Sequence, residues 1–209
     1  MKNTILSKKL IPVAVIDDTS HAQPLAEALL AAGLKVIEVT LRTKEALTCI
    51  EIIKKSAPEM IIGAGTILDH KLIPELIDKG VSFGITPGLN PLVIESAIKH
   101  DLLIMPGVMT PSEIELARNY ELDVLKFFPA EAAGGASMLK AFAGPYSHTG
   151  IKFIPTGGIN ASNMESYLKI PCVAAVGGSW FVASKLLQSA NYNEITTLTK
   201  QAITLIDKL

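Results

Sequence analysis

The sequence has little cysteine and almost no net charge. Cys49 and Cys172 are the two cysteines among 209 residues, and neither belongs to a spacing of metal ligands. This argues against a zinc motif or a disulfide framework, so two free thiols in a reducing cytosol are expected. Lysine and arginine total 19 against 20 acidic residues, giving a formal net charge of −1. That balance offers no electrostatic basis for binding nucleic acid or an anionic membrane.

Long apolar segments are also missing. No stretch reaches the roughly 18 residues of a membrane span, so no transmembrane helix is predicted. The N-terminal segment MKNTILSKKLIPVAVIDD lacks a long apolar run and a clear cleavage site, which argues against a signal peptide. The chain contains no linker or low-complexity segment. We therefore expect a cytoplasmic globular protein in which residues 1–209 form a single domain.

What the sequence does contain is a pattern that recurs eight times. A short apolar run is followed by glycine, proline or polar residues and then by a helical stretch, and the runs start roughly 21 to 27 residues apart. Their short length and β-branched content favour buried strands. The runs are LIPVAVI (10–16), LKVIEVT (34–40), MIIGAGT (60–66), VSFGITP (81–87), LLIMPGV (102–108), VLKFFPA (124–130), IKFIPTG (151–157) and CVAAVGG (172–178).

Helix signals fill the intervals between these runs. Gly33 is a natural left-handed cap for a helix over 21–32, and the helical stretch 44–57 stops before Pro58. Asn90 followed by Pro91 marks a helix start, TPSE (110–113) forms a capping box, and residues 193–209 read as a last amphipathic helix. Strands that alternate with helices pair in parallel, and eight such units predict an α/β fold, the (β/α)8 TIM barrel.

An open doubly wound sheet is the alternative architecture. The first strand-to-helix turn, IDDTSHAQ (16–23), has no GxGxxG sequence, which argues against a dinucleotide-binding version of that fold.

One lysine stands inside an apolar run. Lys126 lies within VLKFFPAE (124–131), where an unpaired ammonium group would be costly to bury. The period-two alternation of a strand places Glu38, Thr40 and Arg42 on one face of the second strand and Lys126 with Phe128 on one face of the sixth. If both faces point into the barrel, Lys126, Glu38 and Arg42 converge. They then form either a buried ion cluster that fills the barrel or a catalytic centre.

Glycines and small polar residues cluster where the last two predicted strands end. The segments TGGIN (156–160) and GGS (177–179) follow the seventh and eighth runs. In a barrel these neighbouring ends commonly hold a substrate phosphate, because glycine lets backbone N–H groups approach an anion and the following helix N-termini favour negative charge. The two segments together predict an anion site.

Six motifs then carry a resemblance to a known family. They are EVTLRT (38–43), GAGT (63–66), TPG (86–88), KFFPAE (126–131), PTGGI (155–159) and GGSW (177–180). In this order, from about residue 10 to the C-terminus, the chain resembles the 2-keto-3-deoxy-6-phosphogluconate (KDPG) aldolases, which often also act on 4-hydroxy-2-oxoglutarate (KHG). KFFPAE together with EVTLRT is a specific pair. The chain departs from the commonest pattern at Thr86, where serine is frequent, and at NAS (160–162), which contains no proline.

The resemblance implies a class I, Schiff-base aldolase of the Entner–Doudoroff pathway on a barrel fold, a homotrimer that uses no metal and no cofactor. Its substrate would be a phosphorylated 2-oxo acid, KDPG, cleaved to pyruvate and glyceraldehyde 3-phosphate, with KHG cleaved to pyruvate and glyoxylate. By resemblance, Lys126 is the Schiff-base lysine, Glu38 the acid/base and Arg42 the group that binds the substrate carboxylate. The remaining substrate-binding positions are Thr66, Pro87, Phe128, Thr156, Gly157, Gly158 and Ser179.

Three alternatives stay open on the sequence. The main substrate could be the C4 epimer, 2-keto-3-deoxy-6-phosphogalactonate, because stereochemical choice depends on the shape of the pocket. A metal-dependent phosphosugar epimerase or isomerase would keep the anion site but would need metal ligands, and no cluster of His, Asp or Glu follows the predicted strands. A non-catalytic barrel that binds a phosphorylated ligand would not need a lysine within a strand.

Overall fold

The computed structural model describes residues 2–209 as strands that alternate with helices. The strands are β1 (Leu10–Ala14), β2 (Val36–Thr40), β3 (Ile61–Gly65), β4 (Phe83–Ile85), β5 (Leu103–Met105), β6 (Gly107–Val108), β7 (Val124–Phe127), β8 (Lys152–Pro155) and β9 (Val176–Gly178). The helices are α1 (Lys2–Leu6), α2 (Ala22–Ala31), α3 (Ala46–Ser56), α4 (Ile73–Asp78), α5 (Pro91–Lys99), α6 (Pro111–Asn119), α7 (Gly135–Tyr146), α8 (Met164–Leu168), α9 (Ser184–Gln188) and α10 (Tyr192–Ile206).

The strands pair in parallel and close into a barrel. One group runs in the order β5-β4-β3-β2-β1-β9 and a second in the order β6-β7-β8. β5 and β6 are the two halves of one barrel strand, and a parallel bridge between Thr156 and Gly177 joins β8 to β9. The ring therefore has eight members, and the predicted (β/α)8 barrel is confirmed.

All eight strands are shorter than their predicted apolar runs, and the fifth and eighth runs are also interrupted. Pro106 separates β5 from β6 because proline has no N–H to donate to a ladder, although its carbonyl still accepts a hydrogen bond from the Lys126 N–H at 2.9 Å. In the eighth run only Val176–Gly178 forms a strand. Val173 makes an isolated bridge to Phe153 instead, so pairing with β8 begins before β9 does.

The helix boundaries follow the local signals. Gly33 has φ of 80° after α2, and the Asn90 side chain accepts a hydrogen bond from the Leu92 N–H at 3.1 Å. The predicted capping box of Thr110 and Glu113 is present at the start of α6. The last helix ends at Ile206, before the predicted end at residue 209. Helix α1 was not predicted, because its five residues contain one buried side chain and therefore show no periodicity.

Buried polar side chains mark one end of the barrel. The apolar core lies between the strands and the surrounding helices, whereas the buried polar residues of the barrel lie in the C-terminal halves of strands or just after them. They are Glu38, Thr40, Thr86, Lys126 and Thr156. Among residues 2–209, no helix is both long and apolar enough to cross a membrane.

Candidate active site

A cavity of about 280 Å³ opens at the C-terminal ends of the strands. Every site residue predicted from the sequence lines it: Glu38, Arg42, Thr66, Pro87, Lys126, Phe128, Thr156, Gly157, Gly158 and Ser179. The lining also includes five residues that were not among the predicted site residues: Val13, Thr40, Ile159, Gly177 and Gly178. Thr40 shares a face of β2 with Glu38, so the alternation of β2 could have identified it, whereas Arg42 lies in the turn just after β2. Val13 carries no such signal.

Lys126 and Glu38 meet across the barrel interior. β7 and β2 lie on opposite sides of the ring, four members apart in either direction. The Lys126 Nζ and Glu38 Oε1 atoms are nevertheless 3.8 Å apart, and the two side chains are only 6% and 2% exposed. The predicted convergence of the two strand faces is therefore found in the structure.

Apolar groups surround the lysine. Its Nζ lies 4.8 Å from the centre of the Phe128 ring, which allows a cation–π contact when the amine is protonated. The Lys126 amine therefore has one carboxylate neighbour and little access to water, and it faces the cavity in which a substrate carbonyl would bind.

The Glu38 carboxylate is held in a site with few polar partners. Its Oε1 atom accepts no hydrogen bond within residues 2–209. Burial raises the pKa of Glu38 above its ordinary value, and the positive charges of Lys126 and Arg42 oppose that rise only in part. Gly65 on β3 leaves the necessary space, since a Cβ added there would overlap the Glu38 Oε1 atom. A carboxyl group in this environment can change its protonation state closer to neutral pH than an ordinary glutamate.

Arg42 stands at the mouth of the cavity. Its Nε donates a hydrogen bond to the Thr40 Oγ1 at 3.3 Å, and the Thr40 hydroxyl in turn donates to the Ala14 carbonyl at 3.1 Å. These two hydrogen bonds fix the Nε end of the guanidinium group to β1 and β2. The Nη atoms make no protein hydrogen bond within the described residues, so they remain available for a carboxylate.

Two loops form the wall beside β3 and β4. Thr66 follows β3 with φ of 61°, a left-handed conformation that is uncommon for a threonine. Pro87 lies in a turn fixed by Thr86, whose hydroxyl donates to the Gly88 carbonyl at 2.6 Å and accepts from the Gly107 N–H at 3.3 Å. Threonine at position 86 therefore supplies the hydroxyl that a serine would supply.

The glycine segments form the opposite wall. Gly157 and Gly158 have φ of 97° and 80°. The N–H groups of Gly158 and Ile159 donate no hydrogen bond within residues 2–209, and neither does the exposed Ser179 hydroxyl. The expectation that both segments lead into helix N-termini holds only for Ser179, which precedes a short 3₁₀ turn. Helix α8 begins later, at residue 164, so loop N–H groups are the available donors after β8.

The other ionisable groups lie away from this cavity. Lys35 and Lys152 are exposed near the N-terminal ends of β2 and β8, and His21 pairs with the Tyr192 hydroxyl at 2.8 Å. Within residues 2–209, no three His, Cys, Asp or Glu side chains are grouped closely enough to hold a metal ion. Lys126 and Arg42 are the two cationic side chains of the cavity lining.

Comparison with known proteins gives consistent matches over nearly the whole chain. The family model described as KDPG and KHG aldolase matches residues 1–198. The KHG/KDPG aldolase of Escherichia coli strain K12 is 42% identical over 194 residues, which cover 93% of this chain and 90% of that protein.

Solved structures agree with the sequence matches. KDPG aldolase from Legionella pneumophila, with pyruvate captured at low pH as a covalent carbinolamine intermediate, superposes with a TM-score of 0.91 at 40% identity and covers 95% of this chain and 96% of that one. The 2-keto-3-deoxy-6-phosphogluconate aldolase of Zymomonas mobilis ZM4 with 3-phosphoglycerate gives 0.86 at 38% identity, covering 97% and 96%. With this fold, this cavity and these matches, the chain belongs to the family of KDPG and KHG aldolases.

Proposed function

We propose that the chain is a class I aldolase that cleaves KDPG to pyruvate and glyceraldehyde 3-phosphate, with Lys126 as the Schiff-base residue. The observation that carries the proposal is a buried lysine whose Nζ lies 3.8 Å from a buried glutamate, inside the cavity at the C-terminal end of the barrel. A lysine that only filled the barrel would not need to face an open cavity.

The chemistry follows from the reactivity of a neutral amine. The Lys126 amine adds to the C2 carbonyl of the 2-oxo acid, forming a carbinolamine that loses water to give an iminium. The iminium accepts the electron pair of the C3–C4 bond as the C4 hydroxyl loses its proton, which releases the aldehyde and leaves an enamine. Protonation of the enamine at C3 and hydrolysis of the iminium return pyruvate and the free amine.

Glu38 is the proposed acid/base of these steps. Each step needs a proton delivered or removed near C2, C3 or the C4 hydroxyl, and Glu38 lies beside the nucleophile. The 3.8 Å separation exceeds a direct hydrogen bond, so a substrate hydroxyl or one water molecule would bridge Glu38 and Lys126. The raised pKa of Glu38, caused chiefly by burial, suits a group that alternates between acid and base.

The two ends of the cavity fit the two ends of KDPG. Arg42 would bind the C1 carboxylate bidentately through its free Nη atoms, while Thr66, Pro87 and Phe128 line the middle of the substrate. Thr156, Gly157, Gly158 and Ser179 would hold the phosphate through N–H and hydroxyl donors. The Legionella enzyme captures pyruvate as a covalent carbinolamine and the Zymomonas enzyme was solved with 3-phosphoglycerate, so relatives bind both a 2-oxo acid and a phosphorylated ligand.

A kinetic comparison of three substrates tests the proposed function. Release of pyruvate from KDPG, from its C4 epimer 2-keto-3-deoxy-6-phosphogalactonate and from KHG is followed with lactate dehydrogenase, with and without EDTA. We expect the highest kcat/KM for KDPG, a lower value for KHG, and no effect of EDTA. A higher value for the epimer would assign the galactonate as the substrate. Activity lost in EDTA and restored by a divalent ion would favour the metal-dependent epimerase class.

We also propose that the chain acts as a homotrimer in the cytoplasm, with a small phosphorylated 2-oxo acid as its binding partner and no role in binding nucleic acid or membrane. The family resemblance supports the trimer, and the near-neutral charge supports the absence of polyanionic partners.

A further inference from the structure

The loop after β8 is anchored from behind by main-chain donors of the segment that follows Lys126. The Thr156 carbonyl accepts a hydrogen bond from the Ala130 N–H at 2.8 Å, and the Gly157 carbonyl accepts one from the Glu131 N–H at 3.1 Å. The KFFPAE segment therefore carries the proposed nucleophile and also holds the first two peptide groups of this loop, residues 156–159.

Asn163 anchors the third peptide group. Its Nδ2 donates to the Gly158 carbonyl at 2.9 Å, while its Oδ1 accepts a hydrogen bond from the Asn160 N–H at 2.8 Å. The Asn160 Nδ2 makes a longer bond of 3.3 Å to the same Gly158 carbonyl. Asn163 occupies the N-cap position of α8, yet its side chain makes no capping bond to that helix. The side-chain amide of Asn163 therefore forms hydrogen bonds with the loop and not with α8.

Anchored carbonyls fix the direction of the N–H groups in the loop. In a planar trans peptide, the C=O of one residue and the N–H of the next point in opposite directions. Because the carbonyls of Thr156, Gly157 and Gly158 point at their anchors, the N–H groups of Gly157, Gly158 and Ile159 point to the other side. These three residues line the cavity, and the N–H groups of Gly158 and Ile159 donate to no protein atom within residues 2–209, whereas the Gly157 N–H faces β9 at the bridge between Thr156 and Gly177.

Side-chain packing supports the same orientation. A Cβ added to Gly158 would lie only 2.7 Å from the Glu131 Cβ, so the loop packs directly on the Glu131 stem. The Tyr167 hydroxyl of α8 donates to the Glu131 Oε1, and burial together with this bond raises the pKa of Tyr167, which keeps the phenol protonated as a donor. Asn163 and Tyr167 thus tie the loop and its support to the same short helix.

We propose that Asn163 is a positioning residue for the phosphate end of the substrate. By holding the Gly158 carbonyl, it turns the Ile159 N–H toward the cavity, where that group joins the N–H group of Gly158 as a donor to one anion. The inference rests on the proposed function for the identity of the anion, a phosphate monoester, and is independent of the chemistry at Lys126.

Asn163→Asp tests the proposal, because aspartate keeps the acceptor for the Asn160 N–H and replaces the donor to Gly158 with an oxygen. Ala161→Asp is the matched control, since it adds the same charge at an exposed position of the same turn. Asn163→Ala removes the donor without adding charge. Binding of inorganic phosphate is followed by the fluorescence of Trp180, the single tryptophan, whose ring packs on Gly178 in the cavity lining.

We expect both Asn163 variants to bind phosphate about 10- to 100-fold more weakly than the unmodified protein. The control should stay within about twofold, because an exposed charge is screened. For the Asn163 variants, kcat/KM for KDPG should fall by a similar factor, mainly through KM. The value for unphosphorylated KHG should stay within about twofold.

Unchanged phosphate affinity in the Asn163 variants would overturn the proposal, as would an equal loss in Ala161→Asp or equal losses on KDPG and KHG. Thermal melts of all variants verify folding. A failure of the proposed function has a different signature: the unmodified protein would not cleave KDPG at all, and phosphate binding would still decide the role of Asn163.

Discussion

At the scale of single residues, the pKa of the buried Glu38 determines the pH dependence that we expect for kcat/KM. Burial raises the pKa of Glu38 above its ordinary 4.5. If Glu38 acts in its ionised form, the acid limb of the kcat/KM profile therefore lies above pH 4.5, because the carboxylate is protonated earlier as the pH falls. The positive charge of Arg42 lowers the pKa of Glu38. Replacing Arg42 with a neutral residue should therefore shift the acid limb to higher pH.

Arg42→Gln is the variant that checks this direction. Removing the positive charge leaves the Glu38 carboxylate with less compensation for burial, so its pKa rises further. We expect the acid limb of kcat/KM to shift to higher pH, along with a lower maximum caused by weaker binding of the substrate carboxylate. A limb that stays in place or moves to lower pH would mean that another group controls it.

Ser179 offers a second test at residue scale. Its exposed hydroxyl makes no protein hydrogen bond within residues 2–209 and lines the phosphate end of the cavity. A hydrogen bond to a charged group contributes roughly 1.5–3 kcal/mol, or about 10- to 150-fold. Ser179→Ala should lower kcat/KM by such a factor for KDPG and much less for KHG. Equal losses on the two substrates would show that Ser179 supports the barrel rim instead.

At the scale of elements, the position of Glu38 depends on a glycine of the neighbouring strand. A methyl group on Gly65 would overlap the Glu38 Oε1 atom, so Gly65→Ala must displace the carboxylate from Lys126. A displacement of about 1 Å can cost about 100-fold in rate, and we expect a loss of kcat of that order with the barrel intact. Gly144→Ala in α7 is the control, because a Cβ there meets no atom within 4 Å. Equal kinetics for the two variants would contradict the proposed geometry.

The element scale also shows what local sequence can and cannot predict. Glu38 and Lys126 could be brought together from the strand alternation of β2 and β7, since a period of two decides which side chains point inward. The break at Pro106 was visible in the sequence as a proline, but the way pairing continues across it depends on the neighbouring strand. Asn163 could not be assigned, because its partner is the Gly158 carbonyl, and the path of that loop depends on main-chain bonds from residues 130 and 131 to the two preceding carbonyls.

At the scale of the whole molecule, exposed large hydrophobic side chains are concentrated in one part of the chain. Among residues 2–209, five of the seven exposed large hydrophobic side chains lie between residues 68 and 116: Leu68, Leu92, Ile98, Met109 and Leu116. They belong to α5, α6 and the loops beside these helices. We infer that this sector is where copies of the chain meet, because exposed apolar patches in soluble proteins commonly mark interfaces.

We also infer that residues 2–209 form one domain, since the barrel closes only when β1 pairs with β9.

Sedimentation equilibrium at micromolar concentration checks the proposed trimer. We expect a trimeric mass for the unmodified chain and dissociation in Leu92→Glu, because Leu92 is 57% exposed in the single chain and would be buried between copies. Leu205→Glu on α10, outside the sector, should remain a trimer. A monomeric mass for the unmodified chain would contradict the trimer, and dissociation of only the Leu205 variant would place the interface elsewhere.

Borohydride trapping shows whether Lys126 forms a Schiff base with the substrate. The protein is incubated with pyruvate, reduced with sodium borohydride, digested and analysed by mass spectrometry, with Lys126→Ala as the parallel sample. We expect one covalent pyruvate adduct on the peptide that contains Lys126 and no adduct in the folded Lys126→Ala variant. The absence of an adduct in the unmodified protein, or an adduct on a different lysine such as Lys152, would contradict the proposed role of Lys126.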